Sequence, residues 1–285
     1  MNQIDLKSIA DNIELRDGIW FSKTQEAVSY PEDGSDLCLV VEDGSYWFQH
    51  RNKCIPELVK RFSNNKTFFD IGGGNGYVSL GLQKASIETI LVEPSIQGVR
   101  NAKSRGLNNL VCSTLHDALF KLNSIPAIGV FDVVEHIEDD NQFLKQMHDY
   151  LEPGGKLYIT VPAYNFLWAN EDDYSGHYRR YTVSKFKKQL QDLGYEINYS
   201  SYLFSALVLP VFLFRSLPSK LGFHKDVENI EKYKSEHGNH EGLLTKIIKK
   251  TLNWEYKKIA KNSRINFGTS CLVVASKKWY NKKIN

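Results

Sequence analysis

No stretch of this 285-residue chain reaches the roughly 18 consecutive apolar residues that a membrane-spanning helix requires. The opening stretch, Met1 to Arg16, is polar and lacks the apolar core of a signal peptide. Cysteine is scarce: Cys38, Cys54, Cys112 and Cys271 are the full set, and none forms a Cys-x-x-Cys pair. No His/Cys cluster has the spacing of a metal site, so neither a disulfide framework nor a metal is expected. Cys112 and Cys271 fall in apolar, strand-like runs and are expected to be buried free thiols. Internal repeats and low-complexity tracts are also lacking. These absences predict a cytoplasmic protein.

A strong charge of one sign is missing too. The formal net charge is +3, which gives no reason to expect a nucleic-acid partner. The distribution is uneven, however: from Ser216 onward there are 15 Lys/Arg against 6 Asp/Glu. That basic segment is either a solvated helix face or a surface for anionic lipid or a phosphorylated substrate. A hydrophobic content of 42% with 24% charged residues is ordinary for a globular chain with a sizeable core.

What the chain does have is a glycine loop. In Phe68-Phe69-Asp70-Ile71-Gly72-Gly73-Gly74-Asn75-Gly76-Tyr77 an apolar run carries an acid near its end, and glycines follow almost at once. The pattern predicts a buried strand, a tight loop whose backbone a ligand can touch, and a helix beginning at about Gly76. The dinucleotide fingerprint Gly-x-Gly-x-x-Gly fails from Gly72, because its last position is Tyr77. A nicotinamide-dependent oxidoreductase is therefore the weaker reading.

Strand-like and helix-like segments then alternate. Thr89–Glu93 reads as a second strand, and its terminal Glu93 lies 21 residues after Gly72. Acids that hold both ribose hydroxyls of a nucleotide stand at about that distance. Asn109–Cys112 is a third strand, Ile128–Ile137 a fourth with its exit, Lys156–Pro162 a fifth and Tyr195–Tyr202 a sixth. Helices are expected over about 46–63, 76–84, 96–103, 141–151 and 186–193. Ligands bind outside the carboxyl ends of such parallel strands, so Phe131, Asp132, Glu135 and His136 should stand near the cofactor. Residues 1–36 carry weak signals, and Leu37–Glu42 is expected to be a short strand.

Asp70-x-Gly-x-Gly-x-Gly resembles the first motif of class I S-adenosylmethionine-dependent methyltransferases. Asp132-Val-Val-Glu-His-Ile137 and Leu151-Glu-Pro-Gly-Gly-Lys-Leu157 resemble two further segments of that family. A bacterial group of these enzymes is similar from Trp47 to about Arg215 and again at Gly268–Ala275. The shared features include an aromatic-and-Arg opening at Tyr46–Arg51 and a Trp168…Asp172…His177-x-Arg-Arg-Tyr181 loop. The resemblance implies an α/β fold: a Rossmann-like, seven-stranded, mostly parallel sheet with its last strand antiparallel and helices on both faces.

It implies S-adenosylmethionine as cofactor, with Asp70, Gly72, Gly73, Gly74, Gly76, Glu93, Phe131 and Asp132 around it and Leu115 against the adenine. The aromatic-and-Arg element is placed either as a lid or as core anchors. Four segments are expected: an N-terminal extension or lid over 1–64, the cofactor-binding core over 65–202, an apolar and basic helical insertion over 203–265, and the last strand with a basic tail over 266–285. Trp168, Arg179 and Arg180 are candidates for a substrate wall, although the arginines could instead pair with Asp172 or Asp173. His136 and His177 are candidate general bases or structural histidines, since an imidazole is neutral near pH 7.

The run Leu203–Phe214 is almost wholly apolar, interrupted by Pro210. It is either a buried helix, a homodimer contact, or an interfacial anchor giving access to a lipid-linked substrate. The functional expectation is methyl transfer to a small-molecule or lipid- or glycan-linked acceptor. A non-catalytic binding role for the same fold is the alternative.

Overall fold

The computed structural model describes residues 5–24, 39, 41–63, 66–223 and 243–278. Cys38 lies outside the described residues.

The centre of the molecule is a nine-stranded sheet. Its strands are β1 (Ile13–Arg16), β2 (Ile19–Ser22), β3 (Phe68–Ile71), β4 (Thr89–Val92), β5 (Leu110–Cys112), β6 (Ile125–Phe131), β7 (Leu151–Pro162), β8 (Tyr195–Leu203) and β9 (Ser270–Lys277). The order across the sheet is β1-β2-β5-β4-β3-β6-β7-β9-β8. From β2 to β7 every neighbouring pair is parallel, whereas β9 runs antiparallel to both β7 and β8. The seven strands β3–β9 are the expected ones, and the antiparallel last strand falls where the resemblance at Gly268–Ala275 had placed it.

The β1–β2 hairpin is an addition. It extends the sheet through Trp20 and Phe21 beside Val111 and Cys112. Two four-residue strands with mixed burial leave little alternation to read, which explains the weak sequence signal. Leu37–Glu42 is corrected: Val41 and Glu42 are helical, not strand.

The helices are α1 (Leu6–Ile9), α2 (Tyr46–Phe62), α3 (Tyr77–Lys84), α4 (Ile96–Ser104), α5 (Asp140–Tyr150), α6 (Asn170–Tyr174), α7 (Val183–Asp192), α8 (Val208–Val211), α9 (Leu217–Lys220) and α10 (Leu243–Ala260). Side chains alternate across a strand, so β3 feeds two cores. Phe69 and Ile71 join Leu144, Met147, Phe186 and Leu190 from α5 and α7. Phe68 points the other way, to Leu58, Val59, Leu82, Leu252 and Ile259 from α2, α3 and α10. Asp70 shares the side of Phe68 and meets Ser79 on α3. Cys54, Cys112 and Cys271 are buried free thiols.

α10 is pinned to α2 by an acid. Glu255 is the lone acid in a helix with lysines at 246, 249, 250, 257 and 258, and it is fully buried. Its carboxylate meets His50 Nε2 at 3.2 Å and accepts the Phe204 and Ser205 backbone N–H groups at 2.9 and 2.6 Å. These contacts hold its pKa below the ordinary carboxylate value despite burial. The insertion is thereby docked at the start of the apolar run.

That run is not one buried helix. After Leu203 the chain makes a 3-10 turn (Ser205–Leu207), α8, a wide π turn (Phe212–Ser216) and α9. Leu207 and Val208 are buried, but Leu209, Leu213, Phe214, Leu217, Leu221 and Phe223 are exposed. Among the described residues no helix is long and apolar enough to cross a membrane.

Candidate functional site

The connection reverses direction between β3 and β6: β4 lies on one side of β3 and β6 on the other. A crevice opens at the carboxyl ends of strands at such a switch point. The glycine loop leaves β3 there. Gly72, Gly74 and Gly76 all have positive φ. At Gly74, φ +54°, an added Cβ would meet nothing within 4 Å, so the backbone faces open space. At Gly73 the same atom would strike Leu91 Cδ1 at 2.5 Å and Asp70 Oδ2 at 2.6 Å, so the loop lies directly on the Asp70 carboxyl.

Glu93, at the tip of β4, reaches back to the loop. Its Oε2 accepts the Gly74 N–H at 2.8 Å and its Oε1 accepts the Ser95 N–H at 2.8 Å. Burial raises its pKa, partly offset by those two backbone donors. Asp70 is fully buried, and desolvation raises its pKa to about 6, against the lowering effects of the Ser79 hydrogen bonds and the Arg51 charge. One of its oxygens accepts from Ser79 Oγ at 2.7 Å, while Oδ1 has no hydrogen-bond partner.

Arg51 comes from α2. It pairs with Asp132 at the end of β6, and its guanidinium lies 4.6 Å from the Trp47 ring and 5.3 Å from the Phe48 ring. Trp47 in turn stacks on Phe204 at 5.2 Å. The aromatic-and-Arg element is therefore both anchored in the core and turned to the crevice. Asp132 has φ +56°, a strained conformation that Asp tolerates better than most residues.

The next turn, Val134–His136, carries Glu135 and His136. Glu135 is fully buried, and burial with the nearby Asp132 charge drives its pKa well up. The His136 and His177 rings meet edge to face at 4.7 Å. Burial and the His177 charge lower the His136 pKa to about 4, so it is neutral at pH 7. His177 Nδ1 lies 2.8 Å from Asp172 Oδ1. Sequence spacing could not show this grouping, because His177 is brought in by a loop more than 40 residues away.

Several candidate residues have structural partners of their own. Leu115 lies in the main core with Ile71 and Val111. Phe131 is buried and stacks on Phe68 at 6.3 Å, backing the crevice from beneath. Arg180 is not available to a substrate: Nε and Nη2 both donate to Asp172 at 2.8 Å, and Nη1 donates to the Ala163 carbonyl at 3.1 Å. Arg179 pairs with Asp140 at 3.0 Å and donates to the Glu138 carbonyl. Trp168 is half-buried, with Nε1 donating to Asp173 at 3.0 Å. Glu255, the buried acid that docks the insertion, was missed, whereas Asp172 was named as a possible partner for the arginines. The one available signal was Glu255 standing alone among lysines.

A family model described as Methyltransferase domain matches residues 46–200, more than half of the chain. The chain belongs to this family. It is a class I methyltransferase whose cofactor is S-adenosylmethionine. Solved structures agree on the fold. A Haloferax volcanii methyltransferase in complex with the Trm112 activator is 16% identical, with a TM-score of 0.53, over 89% of this chain and 100% of that one. The [4+2]-cyclase SpnF is 16% identical, TM-score 0.55, over 90% and 100%. Haemonchus contortus phosphoethanolamine N-methyltransferase 2, solved with S-adenosylmethionine, is 17% identical, TM-score 0.51, over 91% and 62%. No curated protein matches the methyltransferase in sequence.

The residues are chemically compatible with the cofactor: the Gly74 backbone faces open space, Glu93 is an acid held against the glycine loop, and one oxygen of the buried Asp70 has no hydrogen-bond partner.

Proposed function

We propose that this methyltransferase methylates a small-molecule or lipid- or glycan-linked acceptor that docks beside the Glu135–His136 turn and the His177 loop. The supporting observation is the Glu93–Gly74 contact, which ties the tip of β4 to the glycine loop beside open space. The cofactor, when bound, supplies an electrophilic methyl group on a sulfonium. The chain's own residues supply alignment, which can account for much of a rate enhancement.

In this reading Gly72–Gly76 and Glu93 hold the nucleoside, and Asp70 and Arg51 set the charge beneath it. Burial keeps His136 neutral at pH 7, although a pKa lowered to about 4 makes it a weak base there. His177, oriented by Asp172, is the second candidate to take a proton from an acceptor O–H or N–H. Arg180 serves by fixing Asp172, not by binding the acceptor.

The exposed apolar residues from Leu209 to Phe223 support approach to a lipid surface, with Lys220 beside them. That favours a lipid-linked acceptor over a free one. The test is calorimetric titration with S-adenosylmethionine, S-adenosylhomocysteine and NADH, followed by a radiolabelled-methyl acceptor screen with and without anionic vesicles. Micromolar binding of the first two and none of NADH is expected. Failure to bind either adenosyl ligand would remove the reading.

A further inference from the structure

The crevice contains a group of ligating atoms that methyl transfer alone does not require. Glu135, His136 and His177 each offer one ligand atom, and the three atoms lie within 4.8 Å of one another. Glu135 is 1% exposed, and its Oε2 has no hydrogen-bond partner. Leaving a buried carboxylate oxygen unsatisfied is destabilising, which implies a use for it.

The histidines are oriented as ligands commonly are. Asp172 accepts the Nδ1–H of His177 at 2.8 Å, which directs the Nε2 lone pair away from Asp172. Asp172 is itself fixed by both donors of the Arg180 fork and by the Ala169 N–H at 2.9 Å, so the ring cannot swing. A carboxylate behind an imidazole is the usual support of a metal-binding histidine. His136 makes a hydrogen bond to the Ser175 backbone. The Tyr178 N–H donates to the Glu135 carbonyl at 2.8 Å and locks the two segments together. By contrast, the buried Glu255 beside His50 is already saturated by backbone donors and lacks this character.

We propose that Glu135, His136 and His177 bind one divalent transition-metal ion. Two imidazole nitrogens and one carboxylate oxygen suit zinc, manganese or iron, and suit magnesium or calcium poorly, since those prefer oxygen ligands. Three protein ligands leave coordination positions for an acceptor oxygen. The use of the site rests on the methyl-transfer reading, but its existence does not. An acceptor hydroxyl on the ion becomes markedly more acidic and gives its proton to solvent. Its oxygen then forms the bond to the methyl carbon as the carbon–sulfur bond breaks, and the sulfonium leaves as a neutral thioether.

The test uses full-length, tag-free protein stripped with a chelator, titrated calorimetrically with Zn2+, Mn2+ and Mg2+ in the absence of S-adenosylmethionine. One Zn2+ or Mn2+ per chain, at micromolar affinity or tighter, is expected. Glu135→Gln and His177→Asn should each weaken it by at least about tenfold, and Asp172→Asn by about tenfold through loss of orientation. S-adenosylmethionine affinity in the same variants should stay within about twofold, which separates this proposal from the cofactor assignment. His148→Asn, in a different part of the fold, should leave metal binding unchanged. If Asp172→Asn unfolds, circular dichroism will show it and the two ligand variants decide. Absence of stoichiometric metal on folded wild-type protein would overturn the proposal. Binding that survives Glu135→Gln and His177→Asn unchanged would also overturn it.

Discussion

Glu93 Oε2 accepts the backbone N–H of Gly74 at 2.8 Å, so the tip of one strand clamps the loop leaving its neighbour. Because Gly74 faces open space, the clamp presents backbone to a ligand. Glu93→Ala should weaken S-adenosylmethionine binding at least about tenfold, combining a lost ribose acceptor with a loosened loop. Gly74→Val should do the same by a different route, since a β-branched residue at φ +54° is strained and its side chain fills the open space. Calorimetry on variants with native circular dichroism checks both. Unchanged affinity would mean that the cofactor does not lie on this loop.

The Arg51–Asp132 pair is largely buried and roofed by Trp47 and Phe48. Arg51→Met should cost about 2–4 kcal/mol, because it strands Asp132 beside Glu135. Adding Asp132→Asn should recover part of that loss, and urea denaturation of the double-mutant cycle would measure the coupling.

Asp70 supplies a pH signature. Its native pKa of about 6 lies above its ordinary value of 3.8, so between those limits the native state keeps a proton that the unfolded chain has released. This contribution to stability is present below pH 3.8 and is lost as pH rises through about 6. Asp70→Asn should therefore match wild type at pH 4 and exceed it at pH 8, by on the order of 1–3 kcal/mol. A wild-type advantage at both pH values would refute the assignment. S-adenosylmethionine should bind the wild type more tightly above pH 6, where the carboxylate is charged.

Arg180 is a clamp on Asp172, so Arg180→Ala should act first on stability, by about 3 kcal/mol. A variant that keeps its melting temperature but loses acceptor affinity would instead restore the substrate-binding role.

The apolar surface from Leu209 to Phe223 can be tested with anionic liposomes. Leu209→Glu together with Phe214→Glu should reduce co-sedimentation several-fold without changing S-adenosylmethionine affinity. If the wild type does not bind vesicles, a size-exclusion measurement of self-association is the next assay, with the same variants.

The sequence by itself determined the core of this protein. Continuous apolar runs ending in acids and glycines define parallel strands buried on both faces, and their spacing placed Asp70, the glycines, Glu93 and Asp132 at one sheet edge. Those signals are local, set by strand period and by the conformations only glycine takes easily. Tertiary structure decided what local patterning cannot encode. It assigned Arg180 to Asp172 and Arg179 to Asp140 because a buried acid must find a donor, whichever segment carries it. It added the β1–β2 hairpin to the sheet, since short edge strands are selected by pairing rather than by pattern. It buried Leu115 and Phe131 in the core. Finally, it brought His177 to Glu135 and His136 across a long loop, a meeting that depends on packing and on one bridging backbone hydrogen bond, for which the chain has no sequence motif.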